Sequence, residues 1–204
     1  MFTEKTYASF YRYESYRKST ALFSLETIDM APSTNRITLR LPKNTLEELK
    51  KEADEKDLPL SSLVIRILNK NISFERQFGS IKTILLSEVM FEEILDNMDQ
   101  ATIDKVAKMG PKIVRKLCTL SRWKYDIDSI IDNYFTTLAK YCGWFKFKHH
   151  VDHANYHLVF ETRLGNKWAK FLLIYVRSIL ESMKIRIDHE LLDDDVICFK
   201  FVKR

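Results

Sequence analysis

Arg36, Thr38 and Arg40 stand two residues apart, with Ile37, Leu39 and Leu41 interleaved. Successive side chains of an extended chain point to opposite faces, so this run has one polar face and one aliphatic face. The polar face carries two planar guanidinium forks and a hydroxyl that also presents a methyl group. Such forks can grip a pair of hydrogen-bond acceptors, and threonine can hydrogen-bond or make an apolar contact. The plainer account, arginines solvated on a surface strand, does not require so complete an aliphatic set opposite them.

The elements around this run follow in short order. Pro42 ends the strand and can open a helix, with Asn44 or Thr45 as its cap. Leu46, Leu49 and Ala53 give that helix one apolar stripe, and Glu47, Glu48, Lys50, Lys51, Glu52 and Glu55 face water. Lys56-Asp57 breaks it. Leu58-Pro59-Leu60 leads to Ser61 and Ser62, which predict a second helix with Val64, Leu68 and Ile72 inward and Ile65 beside them. Its free first-turn N–H groups and the helix dipole favour an anion there. About forty residues of strand, helix, helix bury too little to fold alone, and a lone strand has nothing to pair with. Two chains that pair their strands antiparallel and interleave their helices remove both deficits. The dimer core would then be Ile37, Leu39, Leu41, Val64 and Leu68.

This arrangement over residues 33–72, about a fifth of the chain, resembles the ribbon-helix-helix DNA-binding family of the Arc and MetJ repressors. The resemblance implies that the polar strand face, Arg36, Thr38 and Arg40, enters the major groove and reads bases. There arginine suits the O6 and N7 acceptors of guanine, and threonine can hydrogen-bond or touch a thymine methyl. The resemblance also implies a phosphate clamp at the start of the second helix, at Ser61 and Ser62, with Lys43 as a further candidate phosphate ligand. The chain departs from the family at Asp57, where glycine is common between the helices. Aspartate tolerates a left-handed backbone better than most residues, which keeps the turn accessible.

Composition sets the outer bounds. The 204 residues hold 46% hydrophobic and 30% charged side chains, ordinary for a globular chain with room for two domains. Net charge is +5, which permits a polyanionic partner without demanding one. Residues 33–72 carry eight Lys+Arg against six Asp+Glu, so the case for DNA rests on where the arginines sit. Cys118, Cys142 and Cys198 lie far apart and suit neither a disulfide framework nor a zinc site. No segment reaches the length of a membrane span and no leader pattern opens the chain. The expected location is cytoplasmic and nucleoid-associated, with no membrane partner. Four glycines leave no phosphate-cradling loop, and no cofactor is implied.

Residues 1–32 read as a flexible arm in which Tyr7, Phe10, Tyr11, Tyr13 and Tyr16 mix with Lys5, Arg12, Arg17 and Lys18. Such mixing also suits nucleic-acid stacking. Residues 73–80 form the expected linker, marked by Gly79 and Ser80. Ile81 to Leu86 is an apolar run with strand character. Ser87 then caps a helix facing inward through Phe91, Ile94 and Leu95. Ala101 to Ala107 begins another, and Ile113 to Leu120 resumes after Gly110-Pro111 with Val114, Leu117 and Cys118 inward. Asp126 and Asp128 precede an amphipathic helix carrying Ile130, Ile131, Tyr134, Phe135, Leu138 and Tyr141, which stops at Gly143. Alternating runs from Trp144 and from Tyr156 predict a hairpin with VDHAN between them. A long helix over Asn166 to Met183 and a second alternating pair across LLDDD complete an α+β domain with an antiparallel sheet over residues 81–204.

Elsewhere the chemistry is thin. His149, His150, His153 and His157 are weak metal candidates, because only a helix would bring His149, His153 and His157 to one face and the hairpin breaks that spacing. Asp193, Asp194 and Asp195 suit a polar loop better than a cation site. No catalytic constellation has local support, so no enzymatic activity is expected. The residues point to a homodimeric, sequence-specific DNA-binding transcriptional regulator, a repressor in type, whose partners are double-stranded DNA and a second copy, with higher oligomers on DNA. The remaining part would sense or oligomerise. The alternatives are an antitoxin whose C-terminal part binds a toxin, and a DNA-binding protein with a metal- or ligand-binding C-terminal domain.

Overall fold

A computed structural model of the protein describes residues 35–79, 81, 83–84 and 86–203. The chain divides into two units, residues 1–46 and 47–204. The aromatic-basic arm expected over 1–32 lies outside the described residues.

In the first unit, residues 35–42 belong to no helix and no sheet. Helix α1, Lys43–Glu55, begins directly after Pro42, whose carbonyl accepts from the Leu46 N–H at 3.1 Å. Asn44 and Thr45, expected as caps, therefore lie inside the first turn. Proline has no N–H to lose there and a φ already suited to that position.

In the second unit, α1 ends in a turn where Asp57 takes φ +51. Its N–H bonds to the Asp54 carbonyl, and the Leu58 N–H bonds to that of Ala53. The left-handed residue that the sequence places at aspartate is thus present. Helix α2, Leu60–Lys70, starts after Pro59, which offers no side-chain cap, so Ser61 and Ser62 fall in its first turn. The helical path continues through a π-helical turn, Asn71–Glu75, and a short α segment, Arg76–Phe78. Residues 73–78, the greater part of the expected linker, are accordingly helical. Phe78 stacks on Tyr134 with ring centroids 6.0 Å apart, and Phe74 tilts against Tyr141 at 5.7 Å. Local sequence gives no sign of these partners sixty residues away.

None of the described residues between Ile81 and Leu86 is in a strand, and Ile84 and Leu86 are exposed. Apolar composition alone does not make a strand. Helix α3, Glu88–Asp96, is capped by Ser87, whose hydroxyl accepts from the Met90 N–H. Helix α4, Gln100–Ala107, is capped by Asp99 in the same way at Thr102. Helix α5, Gly110–Ser121, buries Val114, Leu117 and Cys118. Helix α6 is composite: Ile127–Ser129, a π-helical Ile130–Phe135, and Thr136–Tyr141. The π stretch carries Ile130, Ile131, Tyr134 and Phe135, all four buried.

Strands β1, Lys146–Asp152, and β2, Asn155–Glu161, form the first hairpin. Helix α7, Gly165–Ser182, leads to β3, Ile187–Asp193, and β4, Val196–Val202. The sheet is antiparallel in the order β1-β2-β4-β3, so two hairpins lie side by side with β2 paired to β4. Helices and a four-stranded antiparallel sheet make this region α+β. Tyr156, Leu158 and Phe160 on β2, with Ile197, Phe199 and Phe201 on β4, face the core by strict alternation. Helix α7 buries Trp168, Phe171, Leu172, Tyr175, Val176 and Ile179, and packs on β3, β4, α3, α4 and α5.

Two contacts fix the centre of this core. The Tyr134 and Tyr175 hydroxyls hydrogen-bond to each other in full burial. A Cβ on Gly110 would sit 2.9 Å from the Tyr175 ring, so only glycine lets α5 approach that closely.

Candidate nucleic-acid interface

Arg36, Thr38 and Arg40 are exposed, on a non-helical backbone that alternates them with Ile37, Leu39 and Leu41. Those three aliphatic residues are 67%, 55% and 40% exposed in a single chain, an unusual state for neighbouring large aliphatic side chains. Lys43 opens α1 directly behind them.

Helices α1 and α2 bury little by themselves. Ala53 and Leu63 are their buried residues, and neither joins the large hydrophobic cluster of the second unit. Leu63 was not among the expected core positions. Of those that were, Val64 is half-buried, and Leu68 and Ile72 are exposed beside Ile65 and Ile67. Ser61 is exposed and Ser62 half-buried. The first-turn N–H groups of α2 have no acceptor within the helix; the ladder begins with Leu63 donating to Pro59 at 3.1 Å.

The four clustered histidines are parted by the hairpin. His149 stacks on Phe147 at 5.4 Å and shares its register with buried Leu158. His153 sits in the turn at φ +53, its Nδ1 2.7 Å from Asp152 Oδ1. His150 and His157 are cross-strand partners on the outer face, continued by Lys200 and then His189. Partial burial, then the charges of Lys200, His150 and His189, push the His157 pKa down. Among the described residues, no group of three or more His, Cys, Asp or Glu side chains is placed to hold a metal ion. Asp194 and Asp195 form the β3–β4 turn. Burial raises the three thiols, Cys142 to about 11.

Sequence reasoning missed three polar arrangements. Lys167 donates to the carbonyls of Leu95, Asp96 and Met98 at 3.1, 2.7 and 3.0 Å. Asp128 accepts from Tyr156 and Lys203 at 2.5 Å each. Arg177 forks onto Glu190 with bonds of 2.8 and 2.6 Å, beside an open cavity of about 520 Å³ that Arg186 and His189 also line. Their partners lie from 13 to 75 residues apart, on different elements, so no local spacing announces them.

Among the described residues, no helix is long and apolar enough to cross a membrane. A search of curated proteins found no match to the chain. Residues 17–71, the segment that includes the alternating run and helices α1 and α2, match the family described as the CopG antitoxin of type II toxin-antitoxin systems.

Proposed function

We propose that the protein is a DNA-binding antitoxin. In this reading, residues 33–72 form a ribbon-helix-helix homodimer on DNA, and residues 81–204 engage a protein partner. The matched family is of ribbon-helix-helix type. The observation that carries the reading is the exposure of Ile37, Leu39 and Leu41, opposite Arg36, Thr38 and Arg40, within the matched segment. Pairing two such runs antiparallel would cover the aliphatic faces and bring six polar side chains to one groove. Val64 and Leu68 would be covered by the partner's helices. Ser61, Ser62 and Lys43 would hold flanking phosphates and fix register without reading sequence.

Selection of bound sequences from random duplex DNA tests the DNA half. A palindromic site is expected, since a two-fold dimer reads two equal half-sites. Leu39→Asp places an unpaired charge in the proposed interface, at a cost of several kcal/mol. A variant that stays dimeric by light scattering would refute the interleaved ribbon. Copurification with a small partner protein tests the antitoxin half.

A specific observation also supports a transcriptional regulator acting without a toxin. The second unit has its own core of aromatic and aliphatic residues, as a sensing or oligomerising domain would. Retention of operator control when every copurifying protein is absent would favour it. In either reading the protein works on nucleoid DNA in the cytoplasm and catalyses no reaction of its own.

A further inference from the structure

We propose that the outward face of α3 is a docking surface for a partner protein whose groove is apolar and rimmed with lysine and arginine. The helix has two apolar faces. Phe91 and Leu95 form the inner one, where the Phe91 ring meets Trp168 edge-on at 5.0 Å and Leu95 is buried. Met90 and Ile94 lie one turn apart on the other side, with Val89 beside them and Leu86 just ahead of the Ser87 cap. They are 57%, 45%, 74% and 42% exposed. Anchors at this spacing are what an apolar groove takes from a helix. The helix is held at both ends, by Ser87 at its start and by Lys167 on its last carbonyls, so the face is presented ready-made.

Charge selects the occupant. Residues 87–99 hold five acids, Glu88, Glu92, Glu93, Asp96 and Asp99, and no lysine or arginine, in a chain of net charge +5. Glu88, Glu92 and Asp96 follow helical spacing along the flank next to Val89. Among the described residues none of these three forms an ion pair. A second copy docked by two-fold symmetry would set this acidic flank against itself. A foreign groove with cations at its rim would complement it, with the aliphatic anchors supplying affinity and the rim supplying steering. That such a partner is a toxin rests on the antitoxin reading; the chemistry of the surface does not.

A photo-crosslinking residue at position 90 of the full-length chain, with a control at exposed Leu120, tests the proposal in host cells. The expected result is one net-basic protein crosslinked from position 90 and not from 120. With that protein purified, Met90→Ser/Ile94→Ser should weaken binding at least about tenfold. Glu92→Lys/Asp96→Lys should slow association, by a factor that shrinks as salt rises. Met90, Ile94 and Asp96 are exposed and Glu92 is half-buried, and unchanged circular dichroism would show the fold intact. Crosslinks to this chain alone, no crosslinked protein, or a captured protein indifferent to the charge reversal would each overturn the proposal. The same variants should still select the palindromic DNA site. DNA binding kept while docking fails sinks only this surface. Docking kept with no DNA site selected sinks the ribbon reading instead.

Discussion

The Lys167 ammonium lies 2.7 Å from the main-chain oxygen of Asp96, across seventy-one residues of sequence. It stands in the first turn of α7, where the helix dipole opposes a cation. The carbonyls of Leu95, Asp96 and Met98 offset that cost by accepting from the ammonium, Leu95 doing so alongside the Met98 N–H at 3.1 Å. One side chain thus closes α3 and ties it to α7. Replacing Lys167 with methionine keeps most of the stem and removes the three bonds, at an expected cost of about 1–3 kcal/mol. Chemical denaturation would measure the loss. Amide exchange should quicken at Asn97 and Met98 before it does in the sheet.

A second long-range tie gives a pH signature. The hydrogen bond from Lys203, then that from Tyr156, hold Asp128 below its ordinary carboxylate pKa. Lys203 is raised by the same partner. A depressed carboxylate contributes stability above its unfolded pKa and loses it as pH falls through the folded value. A raised ammonium contributes below its unfolded pKa and loses its part as pH rises through the folded value. The tie therefore stabilises the fold from above the carboxylate range up to below the lysine range. The pair is half exposed, so solvent screens much of it. Denaturation midpoints taken across pH should show a shallow acid slope that Asp128→Asn flattens. An unchanged slope would mean that the tie contributes nothing.

The two buried tyrosines give a test that surface contacts cannot. Burial pushes the Tyr175 hydroxyl up to about 12 and holds that of Tyr134 well above its usual value. Each has the other as partner. Tyr134→Phe strands the Tyr175 hydroxyl in the core and should cost about 1–3 kcal/mol. Replacing both leaves no polar group unpaired, so the double variant should be less unstable than the two losses added together. Strict additivity would show that the hydroxyls are uncoupled.

The parts legible in the sequence are those whose evidence is local. Trp168, Phe171, Leu172, Tyr175, Val176 and Ile179 repeat at helical spacing and all lie buried on α7. The two hairpins show as period-two alternation, and their turns fall within VDHAN and LLDDD as expected. Asp126 caps its helix at Ser129, and Gly143 ends it at φ +67. Less legible are features decided by distant neighbours. Phe74 and Phe78 turn an expected linker into helix because Tyr141 and Tyr134 await them. Ile94, expected inward, is exposed, because the face of α3 toward the core is set by Trp168. For the candidate DNA interface the sequence supplies alternation, and a single chain cannot supply the pairing that would use it.

Arg36 and Arg40 carry the sharpest test of that interface. If the run enters a major groove, each guanidinium meets base edges, and a good bidentate pair gives about 1–3 kcal/mol of discrimination. Arg40→Ala should then flatten the preference at one base pair per half-site and leave the dimer intact. Arg40→Lys should restore it only in part, since an ammonium lacks the planar fork. Ile37 and Leu39, one step away along the same run, should affect folding and dimerisation instead. Even-numbered positions would serve DNA and odd-numbered ones the core. Loss of an arginine also weakens non-specific phosphate attraction, so one affinity proves nothing. Competition titrations at fixed salt, with matched and mismatched duplexes, separate the two effects. A larger loss on the matched duplex is expected. An equal loss on both would make Arg40 a phosphate contact and leave base reading to other residues.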